Sequence, residues 1–267
     1  MLEKLPLMLA PMATLTHPAF RTLIHEYGGC DGYFSEMISA ETFRSGTPFE
    51  YAYRDPRPDP SRLVYQLVGR SEEPIVEAAQ RLSAQPVAGV DLNMGCAAPQ
   101  IAKRGAGIAW LDDLRAAARL IERVRRAAAQ RPWIFAEMLW RRPATTESAA
   151  SRESGGPPGG LPGRQPNTAP RPEAGPGMTD KGIDLAAVAR RFHELLEEMQ
   201  PAEFHLSRAR RFYAYFLKNL PFGYRLAAQV QQIESDEAIK HRVAGYFAEH
   251  PEYRLIRLSR GMERSHA

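Results

Sequence analysis

The chain has 267 residues, 44% of them hydrophobic, with a formal net charge of +4 and a pI near 9.1. That length suits one barrel or two smaller domains. No run of about 18 apolar residues offers a membrane span. Residues 1–6 lack the apolar core of a secretory signal, and two cysteines make no disulfide framework, so a cytoplasmic protein is expected. The mild basicity permits an RNA partner without demanding one.

Residues 7–10 read as a first strand and 18–27 as its helix, with Pro18 in the first turn and Gly28-Gly29 as the stop. Residues 31–35 read as a second strand. Residues 49–61, rich in proline, arginine and aspartate, read as an exposed loop. Residues 63–67 form a third strand. Residues 73–84 form a helix whose Ile75, Ala78, Ala79 and Leu82 share one face. Residues 89–93 form a fourth strand. Asp112 or Asp113 can cap the helix that runs to about residue 129, with Leu114, Ala117, Ala118, Leu120, Ile121 and Val124 at helical spacing. Strands alternating with helices predict a parallel sheet of βα units.

The fourth strand carries the densest chemistry, in Gly89-Val90-Asp91-Leu92-Asn93-Met94-Gly95-Cys96. By the period of two, Val90 and Leu92 face one layer while Asp91 and Asn93 face the other. Gly95 allows a sharp turn and places Cys96 beyond the strand's C-terminal end, where a (β/α) barrel keeps its reactive groups. A thiol there serves as nucleophile, metal ligand or proton donor, or is simply a small buried hydrophobe. No second Cys or His stands at zinc-ligand spacing. Cys30, after Gly28-Gly29, reads as structural.

This segment resembles the active-site motif of the tRNA-dihydrouridine synthases, flavin enzymes that reduce uridine in tRNA. Leu9-Ala10-Pro11-Met12-Ala13, Phe34-Ser35-Glu36-Met37 and Val64-Tyr65-Gln66-Leu67 resemble the ends of that family's first three strands, in order. Lys103-Arg104-Gly105-Ala106-Gly107 resembles its glycine-bearing loop. Ala97 departs from the pattern, in which proline directly follows the cysteine.

The resemblance implies FMN as cofactor, NADPH as reductant and tRNA as partner. It implies a hydride to uracil C6 and a proton to C5, with Cys96 as the donor; an ordinary thiol of pKa about 8.5 stays protonated at neutral pH. It further implies flavin contact by the backbone of Pro11, Met12 and Ala13, which otherwise read as a strand-to-loop transition with a core methionine. Gln66, a polar residue in an apolar strand, reads as a partner of the flavin's pyrimidine edge or as a satisfied sheet-end glutamine. Asn93 either orients the flavin or uracil, or holds the turn. Glu36 reads as a structural cap or loop partner.

Only four βα units of a barrel are visible. Arg131-Pro132-Trp133-Ile134-Phe135 resembles the family's sequence after its eighth strand, which leaves strands five to eight missing between residues 126 and 130. With them would go the late-barrel loops that grip the FMN phosphate, so activity is expected to be impaired. Two open strand edges would remain, which self-association could cover.

Residues 143–180 are rich in Pro, Gly, Ser and Arg and read as a disordered linker. From residue 183 helical periodicity returns, with Leu185, Val188, Phe192, Leu195, Leu196 and Met199 on one stripe. Helices follow at about 203–219, 223–232 and 236–250. The expected organisation is a partial TIM-type barrel over residues 1–142, the linker, and an α-helical tRNA-binding-like domain over 181–267. Arg208, Arg211, Tyr215 and Lys218 fall on one helical face and form a basic, aromatic stripe that either tracks an RNA backbone or is simply a solvated face. His205 and His241 read as ordinary packing or surface residues. The competing readings are a non-catalytic RNA-binding remnant and a defective gene product that does not fold.

Overall fold

The computed structural model describes residues 7–46, 50–128, 133–137 (backbone only), 175–179 and 182–257. Most of the expected linker, and the boundaries expected at 142 and 180, lie outside these residues.

In chain order the N-terminal elements are β1 (Met8–Leu9), α1 (Pro18–Glu26), β2 (Gly32–Ser39), α2 (Ala40–Ser45) and α3 (Glu50–Arg54). Next come β3 (Leu63–Val68), α4 (Glu72–Ser83), β4 (Gly89–Asn93), α5 (Pro99–Ala102), α6 (Leu114–Ala127) and β5 (Trp133–Glu137). The strands run in sheet order β1-β2-β3-β4-β5. β1 pairs parallel with β2, β3 with β4, and β4 with β5. This is the partial TIM-type α/β architecture that the alternating pattern predicts.

One expectation is corrected. Trp133–Glu137 does not follow the end of a barrel. It continues the sheet directly as a parallel neighbour of β4, with Asn93 opposite Glu137. A fifth strand is therefore present, and the missing stretch does not begin at residue 126.

The described residues fall into two compact units. One lies within 38–46 and 64–170, the other within 1–37, 47–63 and 171–267. Every residue of β3 and β4 is buried. α4 buries Ile75, Ala78, Ala79 and Leu82, the face its spacing predicts. α6 starts where Asp113 accepts hydrogen bonds from the Arg115 and Ala116 amides, satisfying donors that a helix start leaves open.

The other unit holds β6 (Met178–Thr179), β7 (Gly182–Asp184), α7 (Leu185–Met199), α8 (Ala202–Phe216), α9 (Gly223–Gln232), α10 (Asp236–Glu249) and β8 (Leu255–Ile256). β6, β7 and β8 form a small antiparallel sheet. Leu15, Ala19 and Leu23, on and before α1, share one apolar core with Leu185, Phe192, Leu195, Phe212 and Val243. The Phe192 and Phe212 rings stack at its centre, 3.8 Å apart. Glu26 at the end of α1 pairs with Arg191 of α7 at 2.7 Å, and the Tyr27 hydroxyl donates to the Pro176 carbonyl. The helices after residue 181 thus bury their stripe against the first helix of the chain.

His17 caps α1 through Nδ1, which accepts from the Phe20 amide. It is fully buried, and burial together with the Arg208 and Arg21 charges holds its imidazole well below the usual histidine range. The unfolded chain therefore binds a proton near pH 6.5 that the folded chain refuses. Stability from this site is complete above about pH 6.5 and falls as pH drops toward the folded value. His17→Asn keeps a capping acceptor. It should lose part of the difference in melting temperature between pH 7.5 and pH 5.5; an unchanged difference would show that His17 does not control it.

Candidate active site

The C-terminal ends of β3 and β4 carry three interlocked polar side chains. The parallel register sets Gln66 beside Asp91, and Asp91 and Asn93 lie two residues apart on one face of β4. Gln66 and Asp91 are each 1% exposed, Asn93 7%. Gln66 Nε2 donates to Asp91 Oδ2 at 2.6 Å, and Asn93 Nδ2 donates to Gln66 Oε1 at 3.1 Å. Asn93 Oδ1 then accepts from the Cys96 amide at 3.0 Å. A buried carboxylate is costly unless hydrogen-bonded, so Asp91 fixes which way the Gln66 amide points. Gln66 in turn orients Asn93, which sets the turn that presents Cys96.

Cys96 is half-buried, while the preceding Met94 is fully buried and anchors the turn. The glycine loop closes on the same turn. The Ile108 amide donates to the Cys96 carbonyl at 3.1 Å. Gly107 has φ 62°, and a Cβ there would stand 2.5 Å from the same carbonyl oxygen. Only glycine permits both the left-handed backbone and this approach. Behind the loop, Trp110 Nε1 donates to the Gly69 carbonyl at 2.8 Å. Gln66, Asn93 and Cys96 are thus brought together as the motif suggests. Asp91, which the sequence places on a face without a role, is their anchor; its alternation with Val90 and Leu92 was the available signal.

The other unit holds the remaining predicted residues. The Met12 carbonyl accepts from the Leu15 and Thr16 amides, and the Met12 amide donates to Thr16 Oγ1 at 3.0 Å. Pro11, Met12 and Ala13 therefore lead into a tight turn. Next to them Thr14 has φ 60°, an uncommon conformation for a β-branched residue. Its amide donates to Glu36 Oε1 at 2.6 Å. Glu36 Oε2 accepts from Arg208 Nη1 at 2.8 Å, with both side chains 3% exposed. Glu36 is the loop partner that its position suggests.

Arg208 requires a correction. It does not stand on an exposed RNA-facing stripe. Its guanidinium is buried against Glu36 and lies 4.9 Å from the Phe204 ring centroid. The exposed stripe reduces to Arg211, Tyr215 and Lys218. The Arg211 guanidinium and the Lys218 ammonium sit 5.1 and 5.2 Å from the Tyr215 ring centroid, and the ring is half-open to solvent.

Sequence reasoning missed two other buried networks in this unit. Arg21, 1% exposed, donates to the Thr16, Asp55 and Arg57 carbonyls and ties the loop before α1 to the loop after α3. His193 lies between the Tyr213 hydroxyl at 3.0 Å and Asp236 Oδ1 at 3.2 Å. Neither has a local sequence signature, because the partners are distant in the chain. The Cys30 thiol donates to the Gly32 carbonyl at 3.1 Å, and burial pushes its pKa up.

Parallel strands alternating with helices, with amides, a carboxylate and a thiol gathered at adjacent strand ends, define a partial (β/α)-barrel protein. Residues 8–141 match the family model of the dihydrouridine synthases (Dus), and the chain belongs to that family. It is similar to a probable tRNA-dihydrouridine synthase of Helicobacter pylori (strain ATCC 700392 / 26695), 31% identical over 120 residues, covering 45% of this chain and 36% of the relative. It is similar also to a probable tRNA-dihydrouridine synthase of Aquifex aeolicus (strain VF5), 33% identical over 106 residues, 39% of this chain and 33% of the relative. A third relative is the tRNA-dihydrouridine(16) synthase of Ralstonia nicotianae (strain ATCC BAA-1114 / GMI1000), 29% identical over 139 residues, 49% of this chain and 42% of the relative. The chain therefore spans less than half the length of these relatives.

Proposed function

We propose that the chain reduces uridine in tRNA to 5,6-dihydrouridine, with FMN as cofactor, NADPH as reductant and Cys96 as the acid. The observation that carries this reading is the hydrogen-bonded chain from Asp91 through Gln66 and Asn93 to the Cys96 amide. It fixes the backbone of residue 96 at a strand end, where the side chain is half-buried.

The donor set suits a flavin ring edge: two buried amides beside a carboxylate offer both hydrogen-bond donors and acceptors. Gln66 and Asn93 would hold that edge, and the resemblance adds backbone contact from Pro11, Met12 and Ala13. When bound and reduced, FMN supplies a hydride to uracil C6. The Cys96 Sγ–H bond breaks as its proton passes to C5, and the thiolate is reprotonated from water. The interlocked amides keep the loop in place while that proton moves.

The expected loss of the late-barrel loops that the resemblance assigns to the FMN phosphate should leave the purified chain largely without flavin. Supplied with excess FMN, NADPH and unmodified tRNA transcript, it should form dihydrouridine at an impaired rate, read by mass spectrometry of the digested RNA. Absence of dihydrouridine with folded protein and intact tRNA would overturn this function. The Arg211–Tyr215–Lys218 cluster supports a second reading, an RNA-binding protein without catalysis. Under it, tRNA binds but neither flavin absorbance nor dihydrouridine appears.

A further inference from the structure

The helical unit carries a hollow of about 410 Å³ that the strand-end chemistry does not use. Its floor is Leu226 and Tyr246, both buried. Its walls include Phe222, His250 and Tyr253. The His250 ring lies 4.8 Å from that of Tyr246 and stacks on Tyr253 at 5.7 Å, 26° between planes. Arg225, Gln229 and Arg242 complete the lining. Arg242 Nε is held on Gln229 Oε1 at 3.0 Å, and Arg225 Nε on the Tyr224 hydroxyl at 3.2 Å. The nearby carboxylate of Glu252 is turned to His250 Nδ1, 3.5 Å away.

Phe222 is the distinctive wall. It is 66% exposed and adopts φ 55°, a left-handed backbone rare for a bulky residue. The following Gly223 packs so closely that a Cβ would stand 1.9 Å from the Leu217 carbonyl oxygen. The tight turn before α9 therefore holds a phenyl ring out into solvent at the mouth of an aromatic, cationic hollow.

The geometry points to a binding site for one unstacked nucleotide of single-stranded RNA, its base against Phe222 and the His250–Tyr253 rings and its phosphates on Arg225 and Arg242. The hollow's volume lies in the range of small-ligand sites. Aromatic rings accept any base by its π-face, and paired guanidiniums match flanking phosphates. The inference rests on the reading of the chain as an RNA-acting protein, and adds a nucleotide contact within the helical unit.

The test uses the full chain and a fluorescein-labelled single-stranded RNA of about twelve nucleotides, followed by anisotropy over a range of NaCl. Phe222→Gly, which suits the left-handed turn, should weaken binding by about tenfold. Phe222→Trp should retain it. Arg225→Gln and Arg242→Gln should each flatten the log-affinity against log-salt slope by about 0.7. Unlabelled strand should compete far better than UMP or the corresponding duplex.

No binding by the parent chain, an unaltered affinity in Phe222→Gly, or equal competition by UMP or duplex would each overturn the proposal. Dihydrouridine formation is read separately. A chain that binds through Phe222 but makes no dihydrouridine refutes only the catalytic reading. A chain that makes dihydrouridine and ignores Phe222 refutes only this site.

Discussion

Cys96→Ala should lower dihydrouridine formation by about 10²–10⁴-fold, the usual loss on removing a general acid. Flavin reduction by NADPH should be nearly unchanged, because in the proposed mechanism the thiol serves only proton transfer to the base. The structure makes this substitution clean. Asn93 Oδ1 and the Ile108 amide hold residue 96 through its backbone, and alanine keeps both contacts. Loss of activity with an unchanged melting temperature would therefore report chemistry and not the turn. Cys96→Ser retains a hydroxyl, a far weaker acid, and should fall between the two. A Cys96→Ala chain that forms dihydrouridine at the parent rate would remove the thiol from the mechanism.

Glu36→Ala should destabilise the protein by about 3–5 kcal/mol, the cost of breaking a buried ion pair from one side. The variant leaves the Arg208 guanidinium buried without its carboxylate and removes the acceptor of the Thr14 amide. Arg208→Met alone should cost a similar amount by stranding Glu36. The double variant Glu36→Gln/Arg208→Met should recover much of the loss, since neither charge then remains and glutamine can still accept from Thr14. Urea unfolding followed by circular dichroism at pH 7.5 measures all of these, together with the single Glu36→Gln that completes the cycle. Single-variant losses under about 1 kcal/mol, or a strictly additive double, would show that the pair behaves as a surface contact despite its burial.

Local signals were legible wherever the chain satisfies itself locally. Ile75, Ala78, Ala79 and Leu82 line the buried face of α4 as their spacing requires. Asp113 caps α6, and the helices predicted near 203–219, 223–232 and 236–250 appear as α8, α9 and α10 within a few residues. The strand-end site was legible for a related reason. Asp91, Asn93 and Cys96 are close in sequence, and Gln66 stands out as an amide within an apolar strand. Arg208 misled because helical spacing gives a direction but no partner. It borders the buried positions Ala209 and Phe212, and a carboxylate 172 residues away draws it inward. Gly107 gave a loop signal without its reason, the Cys96 carbonyl that it must approach.

The amino-acid sequence by itself determined the βα alternation, the helix limits and the placement of a thiol just beyond a strand end, because caps, periodicity and turn glycines act over a few residues. Tertiary structure alone decided that Trp133–Glu137 joins β4 as a fifth parallel strand, since a short apolar run does not name its neighbour. It also decided that α1 is buried with α7 and the helices after it, and that Glu36, Thr14 and Arg208 converge on one buried charge pair. Each of these depends on contacts between distant residues. An apolar stripe or an unpaired charge states that a partner is needed, and only the folded chain states which one.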